Sequence, residues 1–248
     1  MTGLTPTHEP TTSPPHTPAM LVSQLLIGIV RVLVGASARW IGCGPSRRQR
    51  VYFANHTSHA DALAIWAALP PVLRACTHPV AARDYWGCGR LRRWLAQRGF
   101  NALLIDRHPT AHKPSPLAPL LDALAGGDSL ILFPEGTRGV TDCPGVFKSG
   151  LHRLFEAAPD AEFVPVYLEN LHRSFPRGTV VPLPLLCAVR FGAPLARVDG
   201  ECRDAFLARA RAAVIATAAV PPASMQESAR RASPACACLP ASSPDGPS

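Results

Sequence analysis

Lysine is scarce in this basic chain of 248 residues. Lys113 and Lys148 stand against 23 arginines, and the formal net charge is +8 with a sequence pI of about 9.4. Part of that basicity therefore reflects an arginine-rich composition. No stretch resembles a nucleic-acid-binding motif, so we expect no nucleic-acid partner. A basic surface of this kind also suits anionic lipid headgroups.

Paired cysteines are absent as well. The eight cysteines are scattered, and none of them forms a C-x2-C block of the kind that binds structural zinc. Cys236 and Cys238 lie in a C-terminal segment with few large apolar residues. Scattered thiols fit a reducing compartment better than a disulfide scaffold, which favours the cytoplasmic side of a membrane.

The two ends of the chain lack the apolar residues that a core requires. Residues 1–19 are rich in Thr and Pro, and residues 219–248 are rich in Pro, Ser and Ala. We predict that both are disordered tails. No internal repeat is visible in the remainder, and residues 44–218 suit one domain.

The predicted domain is of the α/β class. Helical stretches alternate with apolar, strand-like runs at 51–54, 102–105, 129–133, 163–168 and 186–191. Such alternation predicts a mostly parallel central sheet flanked by helices.

Residues 20–43 predict a membrane-associating helix. The run Leu21–Ala38 is apolar apart from a few polar residues, but Arg31 interrupts it, and a charge at the centre of a bilayer is costly. We expect a helix lying in one leaflet at the cytoplasmic face, with a single span or a packing helix as alternatives. No basic n-region precedes the run, which argues against a signal peptide.

A possible catalytic pair follows the first predicted strand. His56 and Asp61 flank the turn between run 51–54 and a helix that ends at Pro70. A carboxylate bonded to one imidazole nitrogen would prepare the other nitrogen to act as a general base. Helix capping is the simpler alternative. Metal binding by His56, His59 and Asp61 is another, although the spacing H-x-x-H-x-D departs from the metallohydrolase pattern H-x-H-x-D-H.

A possible anion site follows the run 129–133. Gly136 permits close backbone approach, and Arg138 can grip a phosphate with its planar fork. Lys148 is a further candidate for phosphate contact, or else a solvated charge at a helix start. Arg107, after the run 102–105, would be a second clamp or would pair with Asp106.

Four sequence blocks together carry a family resemblance. They are Asn55-His56 with Asp61, Gly99-Phe100 with Arg107, Phe133-Pro134-Glu135-Gly136-Thr137-Arg138, and Val164-Pro165-Val166. In this order the chain resembles glycerolipid acyltransferases of the 1-acylglycerol-3-phosphate acyltransferase type, which carry N-H-x4-D, G-F-x5-R, F-P-E-G-T-R and V-P-V; here six residues separate Phe100 from Arg107.

The resemblance implies transfer of an acyl group from acyl-CoA or acyl carrier protein to a lysophospholipid in a membrane, with no resident cofactor or metal. His56 would be the general base and Asp61 its partner. The candidate substrate-binding residues are Asn55, Arg107, Glu135, Gly136, Thr137, Arg138, Lys148 and Pro165. Of these, Arg107, Glu135 and Arg138 would surround the acceptor phosphate, and Pro165 would be structural or face the acyl group. A metal-dependent hydrolase and a catalytically silent membrane-binding protein are the alternatives.

Overall fold

A computed structural model describes most of the domain. The described residues are 37–58, 60–106, 115–139, 143–169 and 187–219, together with Leu25 and Gly28, which are helical. The predicted tails at 1–19 and 219–248, apart from Ala219, and most of the predicted membrane helix therefore lie outside the described residues.

Seven strands form a single sheet. They are β1 Ser37–Trp40, β2 Arg50–Ala54, β3 Thr77–Ala82, β4 Leu103–Ile105, β5 Ser129–Leu132, β6 Glu162–Glu169 and β7 Ala188–Phe191. Their spatial order is β1-β7-β6-β2-β5-β3-β4. The five neighbouring strands β6, β2, β5, β3 and β4 run parallel to one another. Strand β7 is antiparallel to β6, and β1 pairs with β7 in parallel. The predicted α/β fold with a mostly parallel sheet is confirmed.

Helices cover both faces of this sheet. They are α1 Asp61–Ala68, α2 Pro71–Ala75, α3 Arg83–Trp86, α4 Arg90–Trp94, α5 Ala118–Ala125, α6 Gly150–Ala157 and α7 Arg203–Ala219. A π-helical segment, Leu95–Gly99, continues α4. Helix α1 ends where Leu69 turns to extended backbone, because the residue before Pro70 disfavours the helical conformation.

The central strands are buried on both faces, which explains why they read as continuous apolar runs. In β2, Val51 and Phe53 pack into the core beneath α5, α6 and α7. Tyr52 and Ala54 face the opposite core, which contains α1. This alternation places the strand end, and the turn that follows it, between two well-packed layers.

The predicted helix over 20–43 is wrong in its last part. Ser37–Trp40 is an edge strand whose Trp40 ring stacks on Phe191 of β7, with ring centroids 4.0 Å apart. A strand partner and an aromatic contact distant in sequence override the apolar helical pattern there. Among the described residues, no helix is long and apolar enough to cross a membrane.

Candidate active site

The turn after β2 joins His56 to Asp61. Asp61, the first residue of α1, is fully buried, and its Oδ2 lies 3.0 Å from His56 Nδ1. The same oxygen accepts the backbone N–H groups of Thr57 at 2.6 Å and Ser58 at 2.8 Å. Donation from Nδ1–H to a carboxylate held in this way leaves the lone pair of the neutral ring on Nε2. The side chain of Asp61 therefore fixes both the turn and the tautomer that a general base requires.

Phe133 fixes the plane of the histidine ring. It stacks on His56 with centroids 4.2 Å apart and an interplanar angle of 20°. The His56 side chain is 15% exposed and lines a cavity, and Nε2 has no hydrogen-bond partner among the described residues. No individual role for Phe133 was predicted from the sequence, although its place in the F-P-E-G-T-R block indicated that it lies near the site.

The turn after β5 binds the backbone of the turn that contains His56. Glu135 is buried; its Oε1 accepts the His56 N–H at 2.9 Å and its Oε2 accepts the Gly145 N–H at 3.0 Å. The Gly139 N–H donates to the carbonyl of His56 at 2.8 Å. His56 is thus held through both backbone polar groups. The structure gives Glu135 a positioning role, and its contact with substrate stays a prediction.

Two cationic side chains lie beside this turn. Gly136 has a φ of +71°, and a Cβ added there would lie 2.6 Å from Lys148 Nζ, so only glycine lets the lysine cross the turn. Lys148 is exposed and lines the same cavity as His56. Arg138 and Thr137 are also exposed, and Arg138 has no ion pair within the described segments. The site therefore has solvent-accessible positive charge close to the imidazole.

An apolar cavity of about 240 Å³ opens at His56. It lies at the carboxyl ends of three parallel strands, where α/β proteins bind ligands, since Ala82, Ile105 and Leu132 are the last residues of β3, β4 and β5. Leu120 of α5 and the α6 pair Leu151 and Leu154 are among the other lining residues. Such walls suit a hydrocarbon chain.

Three predicted site residues are placed away from the cavity or are not described. Asn55 is buried and bonded to β6, donating to the carbonyl of Leu168 at 3.3 Å and accepting its N–H at 2.9 Å. Pro165 lies within β6 opposite Phe53. Arg107 falls outside the described residues. Substrate contacts of these three residues stay predictions.

The suggested metal ligands are not all visible. His59 lies outside the described residues, and no cluster of three or more potential metal ligands occurs in the part of the chain that is described. What the structure shows is the hydrogen-bonded pair of His56 and Asp61, and metal binding that includes His59 stays an alternative.

Comparisons with known proteins agree with this geometry. The fold is similar to the crystal structure of the 1-acyl-sn-glycerophosphate (LPA) acyltransferase PlsC from Thermotoga maritima, with a TM-score of 0.60 and 17% sequence identity over 82% of this chain and 81% of that one. No curated protein sequence matches significantly. A sequence model of the family described as Acyltransferase matches residues 43–169, which is about half of the chain and contains both turns. The chain therefore belongs to the Acyltransferase family.

Proposed function

We propose that this chain transfers a fatty acyl group from an acyl thioester, acyl-CoA or acyl carrier protein, to the hydroxyl of a lysophospholipid. The proposed acceptor is 1-acylglycerol 3-phosphate and the product phosphatidate. The observation that carries the proposal is the 3.0 Å contact between His56 Nδ1 and the buried Asp61 carboxylate, at the mouth of an apolar cavity.

The dyad supplies the base. In the proposed reaction Nε2 of His56 takes the proton of the acceptor hydroxyl, and Asp61 stabilises the imidazolium that results. General-base assistance of this type contributes roughly 10²–10⁴-fold to the rate. Because a thioester is already activated, the reaction needs no covalent nucleophile on the protein.

The proton and the acyl group are both accounted for by His56, the acceptor hydroxyl and the thioester. The acceptor oxygen forms a bond to the thioester carbonyl carbon as His56 takes its proton. Collapse of the tetrahedral intermediate breaks the carbon–sulfur bond, and the thiolate leaves with the proton that His56 returns. The enzyme is thereby restored, and no metal or redox partner takes part in the sequence.

The surroundings of the dyad support a lipid phosphate as acceptor. Lys148 places positive charge in the cavity that His56 lines, and Arg138, exposed in the turn after β5, offers the planar fork that suits phosphate oxygens. The apolar cavity walls suit a fatty acyl chain, which would bring its thioester carbonyl to the imidazole. Holding two reactants in this way supplies much of the remaining acceleration.

The test is acyl transfer from labelled acyl-CoA to lysophosphatidate in detergent with EDTA present. Wild type is compared with His56→Ala, Asp61→Asn and a control, His152→Ala, whose histidine is not among the cavity-lining residues. We expect product from wild type and the control, a loss of at least about 100-fold with His56→Ala, and a similar loss with Asp61→Asn. Circular dichroism and thermal unfolding establish that each variant is folded.

Other outcomes separate the alternatives. Activity that survives in folded His56→Ala contradicts the assigned base. Hydrolysis that EDTA abolishes and zinc or manganese restores would favour the metal-dependent hydrolase. If wild type binds vesicles but transfers nothing from acyl-CoA or acyl carrier protein to any lysophospholipid, the catalytically silent membrane-binding protein becomes the better interpretation.

A further inference from the structure

Helix α4 forms a projecting surface that the proposed reaction does not use. None of its residues is buried; Leu91 is 76% exposed and Trp94 is 39% exposed. Arg90, Arg92 and Arg93 are exposed as well. We call these five residues the α4 surface. A leucine and a tryptophan exposed to water on one short helix mark a surface that contacts something apolar.

The side chains of the α4 surface are segregated around the helix. Each residue turns the helix by about 100°, so Leu91 and Trp94, three positions apart, share one face. Arg90 and Arg93 flank that face on one side and Arg92 on the other. An apolar stripe bordered by arginines is the pattern of a helix that lies in the plane of a membrane interface.

The charge around this helix is mainly positive. Residues 83–106 contain five arginines and two aspartates, Asp84 and Asp106, and Asp106 pairs with Arg83. An acidic protein would satisfy the charge, but the exposed Leu91 and Trp94 favour a bilayer, because leucine enters the acyl region and tryptophan prefers the level of the headgroups. An anionic bilayer satisfies both the arginines and the apolar stripe.

The α4 surface follows one wall of the cavity along the chain. Ala82, the last residue of β3, lines the cavity, and α3 begins at the next residue. Arg83 of α3 donates to the carbonyl of Leu104 at 3.0 Å and lies 3.3 Å from Asp106, which anchors α3 at the end of β4. Helix α4 follows shortly after α3 on the same connection.

We propose that the α4 surface docks the protein on an anionic lipid bilayer, with Leu91 and Trp94 inserted at the interface and the three arginines bound to lipid phosphates. The purpose of this docking rests on the proposed function, since a lysophospholipid acceptor resides in such a bilayer. The binding itself requires no turnover and is measured without it.

The first experiment uses the full chain carrying His56→Ala, so that binding is independent of catalysis. Partitioning is measured on vesicles of phosphatidylcholine and on equimolar phosphatidylcholine and phosphatidylglycerol. We expect Arg90, Arg92 and Arg93 changed together to Gln to weaken binding to anionic vesicles on the order of 100-fold. The control changes three other exposed arginines, Arg48, Arg153 and Arg203, to Gln, which alters net charge equally.

The second comparison tests the apolar stripe. Leu91→Asp should weaken binding by at least about 10-fold, whereas Val72→Asp, at an exposed position on α2, should have a smaller effect. Bromine-labelled lipids should quench tryptophan fluorescence in the parent protein, and Trp94→Phe should remove most of that quenching. This quenching reports insertion of Trp94 into the bilayer and does not depend on charge.

Equal vesicle binding by the α4 variants and their matched controls would overturn the proposal. So would α4 variants that bind vesicles normally but lose acyl transfer from acyl carrier protein while keeping transfer from acyl-CoA, because that result assigns the surface to an acidic protein. Failure of acyl transfer in wild type contradicts the proposed function and leaves the vesicle result standing.

Discussion

Replacement of Glu135 by glutamine distinguishes a positioning carboxylate from a substrate ligand. In the structure both carboxylate oxygens accept backbone N–H groups, from His56 at 2.9 Å and from Gly145 at 3.0 Å. Glutamine retains one acceptor oxygen but turns an NH2 group toward the other backbone donor. One N–H of a part-buried hydrogen bond therefore loses its partner, and the remaining bond loses its charge.

The expected cost follows from these two losses. A hydrogen bond to a charged group contributes about 1.5–3 kcal/mol, and a buried donor without a partner costs about 1–3 kcal/mol. Both figures describe the weakening of the same contacts, so they are not added. We expect Glu135→Gln to lower the free energy of unfolding by about 2–3 kcal/mol. In a domain of this size that corresponds to a fall of roughly 5–10 °C in Tm.

The kinetic effect should be on turnover. The bond from the His56 N–H either is lost or becomes a bond to a neutral acceptor, so the imidazole is held less firmly relative to the cavity, and displacement of about 1 Å can cost 10²-fold in rate. We expect kcat to fall about 10- to 100-fold while KM for lysophosphatidate stays within about 2-fold. Arg138→Gln is the matched comparison, with a raised KM and an unchanged Tm, because its side chain is exposed.

Thermal unfolding and steady-state kinetics on the same preparations check these values. If Glu135→Gln leaves Tm unchanged and raises KM for the acceptor, Glu135 binds substrate, and the positioning role derived from its backbone contacts is wrong.

Two further predictions concern a turn and an ion pair. Gly136→Ala should reduce kcat/KM at least about 10-fold, because its Cβ would displace Lys148. Gly200 has nearly the same φ (+72° against +71°) and nothing within 4 Å of an added Cβ, so Gly200→Ala should share only the backbone strain of about 1–2 kcal/mol. Equal activities of the two variants would contradict this reasoning. The pKa of Glu201 is lowered from its ordinary value of 4.5 by its hydrogen bond to Arg209, so the pair stabilises the fold above pH 4.5 and loses this effect as the pH falls through the lowered pKa. The free energy of unfolding, measured between pH 3 and 6 (roughly the titration range of a carboxyl), should fall less on acidification in Glu201→Gln than in wild type. Parallel curves of this free energy against pH for the two proteins would show that the pair contributes nothing.

Local sequence pattern predicted β2 and β5, which are apolar after their first residues, Arg50 and Ser129. β2 and β5 are buried on both faces, so hydrophobicity alone revealed them. β3 was not predicted because Pro79 interrupts it, and proline cannot donate to a strand ladder. In the structure β3 pairs with β5 through Thr77–Pro79 and with β4 only from Val80 onward, so Pro79 lies where the pairing changes sides. A proline is tolerated in β3 because of how its partners β4 and β5 pair with it, and both partners are distant in sequence.

The site was predictable to the extent that its residues have recognisable chemistry. His56 and Asp61 could be paired from spacing and turn signals, and the structure places them in contact. The stacking of Phe133 and the backbone contacts of Glu135 could not be derived in this way, because both depend on how two separate turns meet. A glutamate in a motif predicts charge near a substrate, whereas only the fold reveals that backbone groups already occupy its oxygens.

The meeting of the two turns follows from strand register. β2 and β5 are adjacent and parallel, and Phe53 pairs with Leu132. His56 and Glu135 each lie three residues beyond that pair, so the register brings them to the same edge at the same height. A slip of one residue would turn Phe53 and Leu132 toward the wrong faces of the sheet, where neither could pack. The burial that fixes the register therefore also fixes the position of His56, the proposed general base.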